Sequence, residues 1–198
     1  MNDFYTFVVL ATVNTTTGIY SFDERFLDTL KTFSSIRKQV PKSKIIFVDN
    51  SIEPLSSEQL KLIEPQVDVL IQYHHHLFST FVNQNGLYRG LGELLMYEQA
   101  LIAINKNNLL GKRVFKITGR YELKDTFDIT FYTNPQVYGK FAFKISLWEL
   151  NVNTPEQSHQ VFFETRLWSF CSSLYGEFKD KLIQNVFNNI IYKNHCIE

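Results

Sequence analysis

The sequence predicts an α/β fold, a mainly parallel sheet flanked by helices, on three observations. Short β-branched and aromatic runs alternate with segments whose apolar residues recur at helical spacing. The first runs are apolar almost throughout, as in strands buried on both faces. Polar loops close them, and strand-helix-strand alternation of this kind builds a parallel sheet. The chain has 198 residues, 44% of them hydrophobic, enough for one substantial core. No repeat, low-complexity tract or Pro/Gly-rich linker divides it, so residues 1–198 read as a single domain.

Taken in order, residues 5–13 form the first strand, followed by the polar loop Asn14-Thr15-Thr16-Thr17-Gly18. From Phe22 to Val40, Phe22, Phe26, Leu27, Leu30, Phe33 and Ile36 follow helical spacing; Ser21 or Asp23 caps the start and Pro41 marks the stop. Residues 44–48 are a second buried strand, closed by Asp49-Asn50-Ser51. A short helix over 58–63, capped by Ser56 or Ser57, leads to a third strand over 68–73. A longer helix spans 86–105, and residues 113–118 form a fourth strand that runs into Gly119-Arg120-Tyr121. Residues 140–148 alternate as a strand, residues 161–164 suggest another, and a last amphipathic helix covers 177–197. Its stripe still runs at Ile197-Glu198 without a glycine cap, which admits a truncated form of a longer chain.

Composition narrows the function. Twenty basic and twenty acidic side chains balance. A dedicated nucleic-acid binder needs a basic excess to neutralise phosphates, so none is expected. The apolar run near the N-terminus is short and lacks a basic n-region, and no stretch approaches 18 apolar residues. With Cys171 and Cys196 expected as reduced thiols, a soluble cytoplasmic protein follows. His74-His75-His76 alternates faces in an extended segment and converges poorly on one ion. The sequence contains no C-x-x-C, H-E-x-x-H, Asp-x-Asp, G-x-S-x-G or Walker loop.

Open α/β sheets bind ligands beyond the strands' carboxyl ends, which selects the polar residues that follow each strand. These are Thr12, Asn14 and Thr15; Asp49, Asn50 and Ser51; and Thr118, Gly119, Arg120 and Tyr121. The segment before the long helix adds Asn83, Asn85, Gly86, Arg89 and Gly90, a glycine-rich start suited to phosphate. Asp49 either accepts from a base or ribose or caps the next turn through an Asx bond. Arg120 offers a planar fork to phosphate or carboxylate, or pairs with Glu122 or Glu93. Gly119 lets the chain turn tightly or take positive φ there. Tyr88, Tyr121 and Trp148 either stack on a sugar or base or fill the core. Glu164 is the late carboxylate best placed as a general base.

Four segments, FVVLATVNT, KIIFVDNS, GLYRGLGELLMYEQAL and VFKITGRYEL, together resemble a nucleotide-diphospho-sugar transferase of the GT-A type, with an echo in FFETRLWSFCSSLYGEF. The resemblance is to small bacterial and viral glycosyltransferase-like proteins. It implies a GT-A-like (Rossmann-like) fold and a nucleotide-sugar donor with a glycan or other hydroxyl acceptor. Thr12, Asn14, Asp49 and Asn50 would lie at the nucleoside, Arg89 and Gly90 near the diphosphate, and Gly119 and Tyr121 at the sugar or phosphate. GRYEL stands where many such enzymes carry Asp-x-Asp. The resemblance therefore leaves open a divalent metal held without that motif, or sugar transfer without one, Arg120 supplying part of its charge, with Glu164 as the base if the stereochemistry inverts. The alternative is a non-catalytic or truncated domain of this type that binds a nucleotide, glycan or protein partner. A nucleotidyltransferase ranks lower because NTTTG carries no basic residue, and a methyltransferase ranks last because the first strand lacks a glycine-rich turn.

Overall fold

Residues 6–11, TFVVLA, are buried at every position, which only a strand covered on both faces can achieve. This strand, β1 (Thr6–Ala11), sits inside a six-stranded sheet in the computed structural model, which describes residues 2–15, 19–74, 89–149 and 159–187. Of residues 89–91, 144–149, 159–165 and 185–187 the backbone alone is described. After β1 come α1 (Phe22–Gln39), β2 (Lys44–Asp49), α2 (Ser57–Ile63), β3 (Val69–Gln72), α3 (Arg89–Lys106) and β4 (Arg113–Thr118). The chain closes with β5 (Phe141–Glu149), β6 (His159–Cys171) and α4 (Tyr175–Phe187). The spatial order is β3-β2-β1-β4-β6-β5. The strands β3, β2, β1 and β4 run parallel, and β6 lies antiparallel to both β4 and β5. The expected α/β architecture, a mainly parallel sheet flanked by helices, is the observed one.

Alternation along the strands divides the core into two layers. Phe7 and Val9 of β1 with Phe115 and Ile117 of β4 face α1, where Phe33 and Ile36 meet them. Val8, Leu10 and Val114 face α3, where Tyr97, Leu101 and Ile104 meet them, and Leu182 of α4 joins that layer. Ser21 begins α1 with a reciprocal capping box: its Oγ accepts from the Glu24 N–H, and its own N–H donates to Glu24 Oε2.

Several expected elements shift. Phe22 and Leu27, assigned to the buried stripe of α1, are 46% and 52% exposed. The sheet-facing side of α1 carries Thr29 and Thr32 instead, whose hydroxyls donate to the carbonyls four residues back and so bury without loss. The strand expected at 161–164 is the start of a much longer one, β6. Its reading was broken by Thr165-Arg166, where pairing with β5 slips from Phe143↔Trp168 to Lys144↔Glu164 and leaves residues 165–167 as a bulge. Helix α4 begins at Tyr175 rather than 177, and residues 188–197 of its expected span lie outside the described residues. So do residues 86–88 of the long helix, His75, His76 and Cys196. Cys171 is free and buried.

Candidate functional site

Topology locates the site before any side chain does. The chain moves outward from β1 to β2 and β3, then crosses back to place β4 on the opposite side of β1. Connections therefore leave β1 and β4 in opposite directions, which makes their carboxyl ends the switch point where open α/β sheets take ligands. The loops at 12–15 and 119–121 border it directly. The loop at 50–51 flanks it from β2, since the Asn50 N–H donates to Ala11 O at 2.9 Å. Helix α3 follows β3 and ends before β4 begins, so its first turn stands at this same edge.

Asp49 ends β2 facing the α1 layer and is 1% exposed. Its Oδ1 accepts from the Val13 N–H at 3.0 Å and from Ser51 Oγ at 2.8 Å. Burial pushes the carboxyl up to about 6, against the pull of those hydrogen bonds. The side chain thus ties the loop after β1 to the loop after β2. Asn14 continues the tie: its N–H donates to Ser51 Oγ at 2.8 Å, and its amide donates to Pro54 O and exchanges hydrogen bonds with Gln59. Thr12 is half-buried, its carbonyl accepting from Arg25, while Asn50 is 2% exposed.

Gly119 does not take positive φ; what it provides is room. A Cβ there would lie 2.9 Å from Ala11 Cβ and 3.3 Å from Thr29 Oγ1, so the glycine lets α1 press on the ends of β1 and β4. Its N–H donates to Leu10 O and its carbonyl accepts from Thr29 Oγ1, so it seats the loop rather than reaching outward. The next residue, Arg120, is exposed, with its guanidinium 5.5 Å above the Tyr20 ring. Neither expected carboxylate partner holds it, since Glu93 pairs with Lys116 instead. Tyr121 is half-buried against the α1-side core, and the exposed Arg166 lies 5.1 Å above its ring. Arg89 and Gly90 fall in the first turn of α3 and Glu164 in β6; their side chains lie outside the described residues. The backbone register nevertheless places Glu164 past the last β4–β6 pair, Ile117↔Leu167, and hence beyond the carboxyl end of β4.

Two charged positions here were missed from sequence. Lys116 points from β4 into the α3 layer, 1% exposed, where it pairs with Glu93 and donates to Thr118 Oγ1 at 3.1 Å. Its signal was a lysine inside VFKIT, a run otherwise buried on both faces. Arg166 was hidden by the bulge that broke the alternation of β6.

Where the family resemblance implies Asp-x-Asp, the chain offers Arg120 and Tyr121 with an Arg166 guanidinium overhead, an arrangement that repels a cation. Among the described residues no three His, Cys, Asp or Glu side chains are grouped to hold an ion. Asp125 is engaged by Lys38 and Gln39, and Asp128 caps a 3-10 turn through the Thr130 N–H. A groove of about 490 Å³ on the outer side of α1, lined by Leu27, Lys38, Leu123 and Asp125 among others, includes none of the strand-end residues. No described helix is long and apolar enough to cross a membrane.

No family model matches the chain, and no curated protein matches it. Among solved structures it is similar to 4-diphosphocytidyl-2C-methyl-D-erythritol synthase from Anaerococcus prevotii DSM 20548. The two share a TM-score of 0.50 and 10% identity over 98% of this chain and 85% of that one. At that identity the likeness is one of fold.

Proposed function

We propose that the chain is a transferase that takes a nucleotide-linked sugar into the crevice between β1 and β4 and passes the sugar to an acceptor hydroxyl without a divalent ion. The observation that supports this best is the pair of exposed guanidiniums, Arg120 and Arg166, held over aromatic rings at the switch-point edge. Guanidinium forks suit a diphosphate, and their charge would stabilise it as it leaves. In this reading Thr12, Asn14 and Asn50 border the nucleoside, and Asp49 holds their loops in place. Gly119 seats Arg120, and Tyr121 offers an aromatic face to the sugar. Arg89 and Gly90 meet the diphosphate at the start of α3, and Glu164 takes the acceptor proton. The structural neighbour's name describes a diphosphocytidyl product, which favours a second reading, nucleotidyl transfer at the same edge. The two differ in the group released: a nucleoside diphosphate for sugar transfer, pyrophosphate for nucleotidyl transfer from a triphosphate.

A thermal-shift panel of nucleotides and nucleotide-sugars, with and without Mn²⁺, tests the binding claim. A ligand at 100 times its Kd adds about 2.7 kcal/mol of stability. We expect a nucleotide or nucleotide-sugar to raise the melting temperature equally in both conditions. Stabilisation by none of them overturns the reading. With a donor in hand, Arg120→Ala should lower turnover by about 10²-fold or more while the fold persists. Donor binding without turnover points instead to a non-catalytic domain.

A further inference from the structure

We propose that Tyr20 is the positioning residue for Arg120, its ring holding the guanidinium beside the carboxyl end of β4 in the orientation that a ligand diphosphate meets. The inference rests on the diphosphate reading above and names the side chain that sets the geometry of that contact. Both residues belong to the α1 side of the sheet, where Thr29 of α1 bonds the Gly119 carbonyl just before Arg120. The start of α1 presents the ring. Tyr20 stands immediately before the N-cap Ser21, the position from which an apolar side chain usually packs on the fourth residue of the helix. Here that fourth residue is Arg25, which turns to the backbone: its Nε donates to the Tyr20 carbonyl and its Nη1 to the Thr12 carbonyl, each at 3.4 Å. Arg25 thereby gathers both ends of the segment between β1 and α1, and the reciprocal cap of Ser21 and Glu24 fixes the next position. The backbone of Tyr20 is set from both sides, while its ring is 43% exposed and lies 5.5 Å beneath the Arg120 guanidinium.

Arg120 gains from such a partner. Its backbone is fixed: its own N–H and that of Tyr121 both donate to Thr118 O, and the Gly119 N–H donates to Leu10 O. Its side chain is exposed, and a long exposed side chain must be ordered before it grips a phosphate. A ring beneath the guanidinium restricts its sweep before any ligand arrives, so less freedom is lost on binding. The ring also attracts the charge without taking the N–H donors in hydrogen bonds. A carboxylate in the same place would occupy the fork that a diphosphate needs. Tyr20 therefore links the segment after β1 to the loop after β4, one fixed by Arg25 and the other by Gly119.

The test compares Tyr20→Phe, which keeps the ring, with Tyr20→Leu, which keeps an apolar side chain without one. Position 20 is exposed and outside every helix and strand, so neither change threatens the fold. Inorganic pyrophosphate, UDP, UDP-glucose and uridine are titrated calorimetrically into the parent chain and each variant in a buffer free of divalent ions. The Arg120 Nε–Hε resonance is followed by NMR in the unliganded proteins. We expect Tyr20→Leu to bind pyrophosphate, UDP and UDP-glucose about two- to fivefold more weakly than the parent, the size of an exposed cation–π contact, with uridine unaffected. Tyr20→Phe should match the parent. The ring-current shift of the Arg120 resonance should vanish in Tyr20→Leu and persist in Tyr20→Phe. In an Arg120→Ala background Tyr20→Leu should have no further effect, because a positioning residue acts only through the group that it positions. A loss of the same size in that background overturns the proposal, since Tyr20 would then touch the ligand itself. Equal pyrophosphate and UDP affinity in Tyr20→Leu and the parent also overturns it and leaves the diphosphate reading intact. Binding of none of the probes by the parent sinks the diphosphate reading and the positioning role with it.

Discussion

Asp49 is the residue whose placement costs the fold most visibly. Its carboxyl, ordinarily near 3.8, rises to about 6 because it is desolvated, even though Val13 and Ser51 donate to it. The folded state thus binds its proton more tightly than the unfolded chain does. The stabilising contribution is complete below the unfolded pKa and is lost as pH rises through the folded one. A shift of about two units corresponds to about 3 kcal/mol, spent between roughly pH 4 and pH 7. Asp49→Asn keeps an oxygen that accepts from the Val13 N–H and removes the buried charge. Urea unfolding at pH 4 and pH 7.5 should find the two proteins similar in acid and the variant more stable by about 1–3 kcal/mol at the higher pH. A variant that is less stable at pH 7.5 would mean that the charge itself holds the loops. The sequence marked Asp49 as important and left open whether ligand or turn claims it. The structure turns it inward onto the backbone of Val13, where it holds the loop.

At the scale of elements, the contact of α1 with the ends of β1 and β4 decides how the crevice is framed. Gly119 opposes Ala11, and Thr29 of α1 bonds the Gly119 carbonyl, so a helix and two strands meet where position 119 adds no side chain of its own. Gly119→Ala places a methyl 2.9 Å from Ala11 Cβ, closer than packed carbons tolerate. The variant should lose about 1–3 kcal/mol by urea denaturation, the range for overpacking a tight interior. A loss below about 0.5 kcal/mol, the size of an ordinary surface change, would show that α1 yields freely there. The same contact explains what was legible. Apolar runs, broken in β4 only by Lys116, announced β1, β2 and β4 almost to their bounds, because burial on both faces leaves little polar period to confuse. The buried face of α1 was misjudged because its threonines satisfy their hydroxyls on the helix's own carbonyls, which apolar periodicity does not register. The length of β6 was hidden for a related reason: a bulge places Arg166 where an alternating strand would place an inward residue.

For the molecule as a whole, strand order converts separate loops into one edge. The site candidates after β1, β2 and β4 were legible as loop residues, yet their convergence depends on β1 lying between β2 and β4, which no local pattern encodes. Lys116 and Arg166 stayed unread for the same reason, since one acquires its role from α3 and the other from Tyr121. The two edges of the sheet therefore carry different burdens. At the amino end Lys44 and Arg37 pair with Asp68, and Lys112 pairs with Asp3, an arrangement of matched surface charge. The carboxyl end carries exposed guanidiniums with aromatic rings beneath them. A ligand that uses this polarity must protect one edge and leave the other unchanged. Amide hydrogen exchange with saturating UDP, or with whichever nucleotide gives the largest thermal shift, should slow at residues 12–15, 50–51 and 119–121 together. Exchange at 42–43 and 107–112 should not change. Because binding to the folded state alone adds about 2.7 kcal/mol at 100 times Kd, amides that open only by global unfolding will slow everywhere, by about 100-fold. The informative amides are the loop ones that exchange by local opening. Protection at the amino-end loops, or at the carboxyl-end loops one at a time with different ligands, would place the site elsewhere than the crevice between β1 and β4.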